Sequence, residues 1–182
     1  MDSLYIDKVL SGDRHAYKYF INTYKDMAFA IAISLVKNEL LAEEVAQEAF
    51  VQAYLSLSRF KKESKFSTWF YKIVVHTAYK ALQKNKNDLL NLDSEVQDVQ
   101  FEEHALNQIL AEERKQVIND ALLRIPGQEA LALRLFYLEE LSLKELTEVT
   151  GWTESNCKVI LHRARKRLAQ QLNSLLKHEY YG

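Results

Sequence analysis

Apolar residues recur along this chain with the period of a helix. From Asp13 to Val36, Tyr17, Phe20/Ile21, Tyr24, Met27/Ala28, Ile31 and Leu35 return every three or four residues, as one buried helix face requires. A second stripe runs from Leu41 to Leu57 through Val45, Ala49 and Ala53, with Glu44, Gln47 and Glu48 on another side. A third helix fits "STWFYKIVVHTAYKALQK", with Ser67 or Thr68 as its cap. Phe70, Ile73, Val74, Thr77 and Ala81 form its buried side. Lys72, His76, Tyr79, Lys80 and Gln83 share the other side, with Trp69 at the edge.

The period then fails. "NKNDLLNLDSEVQDVQFEEHAL" is acidic, rich in Asn and Asp, and reads as a linker. A helix resumes near Leu110 and stops before "IPG", where Pro126 suits the first turn of a helix running to Leu138. Ser142 and Glu145 have capping-box spacing, opening a short helix "LKELTEVT" that Gly151 ends. With Thr153 as the next cap, a final long helix completes a helix-turn-helix. The expected architecture is all-α. Two small helical domains, residues 1–87 and 112–182, are joined by a polar acidic linker over 88–111, and the second contains the helix-turn-helix.

Composition agrees with that architecture. Four glycines and one proline leave few helix breakers in 182 residues, and 48% of the chain is hydrophobic, enough for two modest cores. No apolar run approaches the roughly 18–20 residues of a membrane span. The start "MDSLYIDKVLSGD" lacks the basic and apolar blocks of a signal peptide, so the chain reads as cytoplasmic, without direct membrane insertion. The lone Cys157 excludes an internal disulfide, suits a reducing compartment and falls on an apolar face, as a core thiol does. Neither a phosphate-cradling Gly loop nor a nucleophile elbow nor metal-ligand spacing occurs. No catalytic residue, metal site or cofactor is expected, and the chain does not read as an enzyme.

Charge carries more information than its total of -1. Residues 61–87 hold seven lysines against one glutamate, 88–113 hold eight acids and no Lys or Arg, and 154–182 hold six cations against two acids. Two basic blocks therefore flank an acidic one, which speaks about partners. In the final helix Cys157, Ile160, Leu161, Ala164, Leu168 and Leu172 share a packing side. Ser155, Val159, His162, Arg163 and Lys166 lie opposite, flanked by Lys158, Arg165 and Arg167. Such cations neutralise phosphates, the short groups near the helix N-terminus reach base edges, and Val159 suits a thymine methyl. The plainer alternative is a solvated helix end complementing its dipole. Around 65–84, lysines interleave with aromatics, the combination that holds single-stranded nucleic acid. Trp69 and Tyr79 remain open to either packing or base contact.

Four stretches together resemble the extracytoplasmic-function class of bacterial sigma factors, within the sigma-70 family: "GDRHAYKYFINTY", "AEEVAQEAF", "FSTWFYKIVVHTAYKAL" and "LSLKELTEVTGWTESNCKVILHRARKRL". They occur in the order that family uses. The resemblance implies a two-domain adaptor that directs the bacterial RNA polymerase core to particular promoters. By that resemblance Glu43, Glu44, Gln47 and Glu48 dock on the polymerase. Lys65, Trp69, Lys72, His76, Tyr79 and Lys80 bind and melt the -10 element. Ser155, Lys158, Val159, His162, Arg163, Lys166 and Arg167 read the -35 element of promoter DNA. The acidic linker would run through the polymerase interior, and an anti-sigma factor, often membrane-bound, would hold the protein inactive. The sequence departs from the family pattern at His76, where Asn is usual, at Gln83, a basic position, and at Ser155-Asn156-Cys157 and Val159-Ile160; these bear on which promoter is read. Two other classes compete: a helix-turn-helix regulator with an N-terminal sensing or dimerisation domain, and a helical module binding an acidic membrane surface through "HRARKRL".

Overall fold

The structure, a computed structural model, describes residues 1–89 and 109–181, with side chains over 1–85 and 115–175. Regular structure among the described residues is all helical: α1 (Asp2–Leu10), α2 (Lys18–Val36), α3 (Glu39–Ser56), α4 (Phe66–Leu89), α5 (Ile109–Leu123), α6 (Gly127–Leu133), α7 (Leu143–Thr150) and α8 (Glu154–Tyr181). None of these helices is long and apolar enough to cross a membrane.

α2, α3 and α4 pack on one another as the N-terminal core. The α2–α3 corner takes only two residues: Lys37 turns left-handed (φ 54°), and the extended Asn38 accepts a hydrogen bond from the Leu41 amide at 2.9 Å. α3 presents fully buried Ala42, Ala49 and Ala53, so its neighbours come close. Aromatic rings fill the wider end. Phe20 lies 4.3 Å from Phe66 and Phe50 lies 4.6 Å from Phe70, centroid to centroid. The buried Tyr17 hydroxyl donates to the Phe50 carbonyl at 2.7 Å, and burial raises its pKa well above the ordinary value.

Several boundaries differ from the sequence expectation, each for a tertiary reason. α1 was not anticipated. It is held by Asp2, whose carboxylate accepts from the Tyr19 and Tyr24 hydroxyls at 2.9 and 2.8 Å, and by Tyr5 stacked on Tyr19 at 3.9 Å. The helix read from Asp13 opens as a 3-10 turn, Arg14–Tyr17, because the Asp13 carboxylate captures the His15 and Ala16 amides. Ser67 and Thr68 do not cap α4. The helix has already begun at Phe66, and Thr68 is buried with its hydroxyl 3.4 Å from Glu145. α4 also runs to Leu89, past the expected domain end at 87, while residues 90–108 of the linker lie outside the described residues. The single helix read from Pro126 to Leu138 is α6 followed by a π turn, Arg134–Leu138, in which the Glu139 amide reaches the Arg134 carbonyl at 3.0 Å.

In the C-terminal half α5, α6 and α7 pack on α8. The α7 capping box forms as read, with the Glu145 amide donating to Ser142 Oγ at 3.2 Å and the Ser142 amide to Glu145 Oε2 at 2.9 Å. Gly151 (φ 73°) ends the helix left-handed. Thr153 Oγ1 accepts from the Asn156 amide at the start of α8. The two halves also touch. α6 lies on α2 and α7 on α4, so the arrangement that the sequence left open is a packed one.

Phe70, fully buried among Phe50, Phe66 and Tyr24, is the keystone of the N-terminal core. Phe70→Ala is expected to destabilise the protein by about 3–5 kcal/mol in denaturant titration; a loss under about 1 kcal/mol would show that this ring cluster does not hold the domain.

Candidate nucleic-acid interface

One side of α4 is buried through Phe70, Val74 and Ala78, which forces Lys72, His76 and Lys80 outward. They line a groove of about 890 Å³ between α3 and α4. Leu41, Val45, Ile73 and Ala81 supply its apolar lining, Trp69 is part of its wall, and Glu44 and Glu48 line it from α3. Half-exposed Trp69 packs on Phe60 and Phe66 at 5.1 and 5.5 Å, so it both packs and presents a ring. An apolar slot with cations and an aromatic rim is suited to unstacked bases and their phosphates.

The structure thus joins two groups of residues that the sequence treated separately, since Glu44 and Glu48 share one groove with Trp69, Lys72, His76 and Lys80. Glu43 and Gln47 are exposed on α3 and do not line it. Two other candidates point elsewhere. The Tyr79 hydroxyl is buried without a hydrogen-bond partner among the described residues, beside Gln128 of α6, and burial raises its pKa. Lys65 lies 3.9 Å from Glu145 of α7, whose carboxylate is held below its usual range first by the Ser142 amide and then by the Ser142 hydroxyl. Sequence reasoning did not single out Lys84 or Asn85, which extend the groove. It also missed exposed Leu40, Val51 and Leu55 on α3; the signal was available, because all three fall off the apolar stripe.

α8 divides as its periodicity indicates. Cys157, Ile160, Leu161 and Ala164 are buried, and burial pushes the Cys157 thiol pKa up. Ser155, Val159, His162, Arg163 and Lys166 are exposed. Arg163 and Lys166 make no ion pair among the described residues, whereas the flanks are clipped to the protein. Lys158 pairs with Glu154 at 2.6 Å, Arg165 donates to the Tyr137 hydroxyl at 3.0 Å, and Arg167 sits 3.2 Å from the buried Glu129. The central cations are exposed, whereas Arg167 must first leave a carboxylate whose other oxygen, Oε2, is already buried without a hydrogen-bond partner among the described residues. Among the described residues, no cluster of three or more metal-ligating side chains occurs.

Comparison with known proteins covers both halves. Residues 20–87 match the family model "Sigma-70 region 2" and residues 115–168 match "Sigma-70, region 4". The chain is 31% identical to the ECF RNA polymerase sigma factor SigW of Bacillus subtilis, over 93% of this chain and 96% of the relative. It is 28% identical to the RNA polymerase sigma-H factor of Pseudomonas aeruginosa, over 97% and 96%. Two solved structures share the fold. They are the sigma factor RpoE of Bartonella quintana in complex with the anti-sigma factor NepR (TM-score 0.72, 20% identity, 86% of this chain and 96% of that one) and CnrH in complex with the cytosolic domain of CnrY (TM-score 0.62, 16% identity, 94% and 96%).

Arg163→Ala and Lys166→Ala should each reduce the salt dependence of duplex DNA binding by about one phosphate equivalent, a change of roughly 0.9 in the slope of log K against log salt. An unchanged slope removes that side chain from the interface. Arg167→Ala should instead lower folding stability by about 1 kcal/mol in thermal unfolding, because the half-exposed pair shields a buried carboxylate.

Proposed function

Since the chain belongs to the extracytoplasmic-function class of the sigma-70 family, we propose that it divides promoter recognition among three of its faces. As a sigma factor it binds core RNA polymerase and directs promoter-specific initiation of transcription. A helix-turn-helix regulator with an unrelated sensing domain is not favoured, because the N-terminal half itself matches region 2.

In this reading the α3–α4 groove takes single-stranded -10 DNA. Trp69 stacks on an unpaired base, while Lys72, His76 and Lys80 follow the backbone. The exposed face of α8 enters the major groove of the -35 element. Ser155, Val159 and His162 meet base edges there, and Arg163 and Lys166 hold phosphates, with Lys158 and Arg167 joining once released from their internal partners. α3 docks on the polymerase through Glu43, Glu44, Gln47 and Glu48. Exposed Lys65 belongs to the -10 face once it leaves Glu145, and Tyr79 once the C-terminal half no longer covers its hydroxyl. An anti-sigma factor is the proposed regulator, since RpoE was solved with one. The observation that carries the reading is the outward display of cations on α4 and α8, with Lys72, His76 and Lys80 beside Trp69 in one groove and Arg163 and Lys166 exposed on the other helix.

Transcription of fragmented genomic DNA by core polymerase, with and without this protein, tests the reading when RNA 5′ ends are sequenced. New starts sharing two upstream motifs are expected; none, with a polymerase shown competent, would refute it. Trp69→Ala should reduce open-complex formation roughly tenfold while sparing polymerase association, as permanganate footprinting reports. Glu44→Lys with Glu48→Lys should weaken core binding by roughly tenfold in calorimetric titration; unchanged affinity moves the docking face off α3.

A further inference from the structure

One carboxylate of the C-terminal half finds its cation on α8. Glu129 is the third residue of α6, the position from which a glutamate usually turns back to the amide of the capping residue. The capping residue here is Pro126, which has no amide hydrogen to offer. Glu129 reaches α8 instead, where its Oε1 lies 3.2 Å from Nη1 of Arg167. The residue is only 8% exposed, and its Oε2 is buried without a hydrogen-bond partner among the described residues.

A buried carboxylate with one oxygen left over is costly, because that oxygen has given up its hydration and gained nothing in return. An apolar side chain of similar size would fill the space without that cost. What the charge adds is a hold on one guanidinium. Arg167 follows Ser155, Val159 and Arg163 at intervals of four residues, so it stands one turn beyond Arg163 in the same exposed row of α8. Arg163 makes no ion pair among the described residues, whereas Arg167 is held by Glu129.

Carboxylate and phosphate are rivals for such a group. Both accept charge-assisted hydrogen bonds from the planar fork of a guanidinium, at similar distances. A duplex phosphate must therefore draw Arg167 from a carboxylate that already has one buried oxygen without a partner among the described residues. Arg163 and Lys166 carry no such debt.

We propose that Glu129 is an internal rival of the DNA backbone. By holding Arg167 it withholds one phosphate contact from α8 and keeps duplex binding at the -35 element weaker than the cations of that helix allow. The proposal rests on the reading of α8 as the -35 face. Glu129 itself touches no DNA; it acts through Arg167, as a positioning residue that sets how many cations the helix presents.

The test is Glu129→Gln, which keeps the shape of the side chain and removes its charge, in the full-length protein assembled with core polymerase. On a duplex carrying the upstream motif found by start-site mapping, the variant should bind about fivefold tighter than wild type at one fixed salt concentration. The plot of log K against log salt should steepen by about 0.9, the mark of one added phosphate contact. Arg167→Ala in the same background should cancel both gains. Thermal unfolding should show no loss of stability, since a buried charge has been removed; a merely structural Glu129 would lower the melting temperature and leave the slope alone. Unchanged or weaker binding overturns the proposal, and weaker binding would mean that Glu129 steers Arg167 onto the phosphate. Glu129→Met, apolar and of similar length, gives the answer if circular dichroism shows the glutamine variant misfolded. Arg163→Ala separates the causes of a failure. If it flattens the slope while Glu129→Gln does nothing, the -35 reading stands and the rivalry alone is wrong; if it too changes nothing, α8 is not the DNA face.

Discussion

Close approach of α3 to its neighbours is the constraint on which the N-terminal half depends. Ala42, Ala49 and Ala53 are fully buried along one line of α3, and only such small residues let α2 and α4 lie against it with no gap. With the seam closed, α4 can turn only its Phe70–Val74–Ala78 side inward, and its lysines are left on the wall of the groove. The display of cations is therefore a by-product of packing, and it is rigid for the same reason.

α8 repeats that logic with different materials. Its apolar side is clamped by three helices, and its solvent side divides into a central strip of cations with no ion pair among the described residues and flanks tethered to Glu154, Tyr137 and Glu129. The contacts to Tyr137 and Glu129 orient the helix on its own domain, while the Glu154 pair stays within the helix, and the central strip is left exposed. Polarity at the contact between the halves serves another end, because a buried guanidinium and half-buried Lys37 and Glu139 give specificity of fit with little net adhesion.

Much of this was legible in the sequence, because each long helix carries one apolar stripe at a regular spacing. The capping box at Ser142 and Glu145, the left-handed Gly151 and the face assignment of α8 needed nothing beyond local chemistry. What escaped depends on distant residues. α1 is too short to declare itself and exists because Asp2 reaches two tyrosines on α2. The π turn looks like continuous helix in one dimension, and Arg134, at its start, finds Ser34 a hundred residues away. A helical wheel separates inside from outside but does not say what covers an edge, which is why Tyr79, Lys65 and Arg167 appeared equivalent to their neighbours.

The buried Cys157 gives this architecture one further property. It is the chain's one sulfhydryl, and it sits on the packing side of α8 with no exposed surface and a pKa raised by burial. A thiol reagent meets it only when α8 lifts off its supporting helices, so the rate of alkylation is a clock for local unfolding of the DNA-reading half. The same shelter leaves every surface position free to accept an engineered cysteine and a dye, with the natural thiol silent beneath.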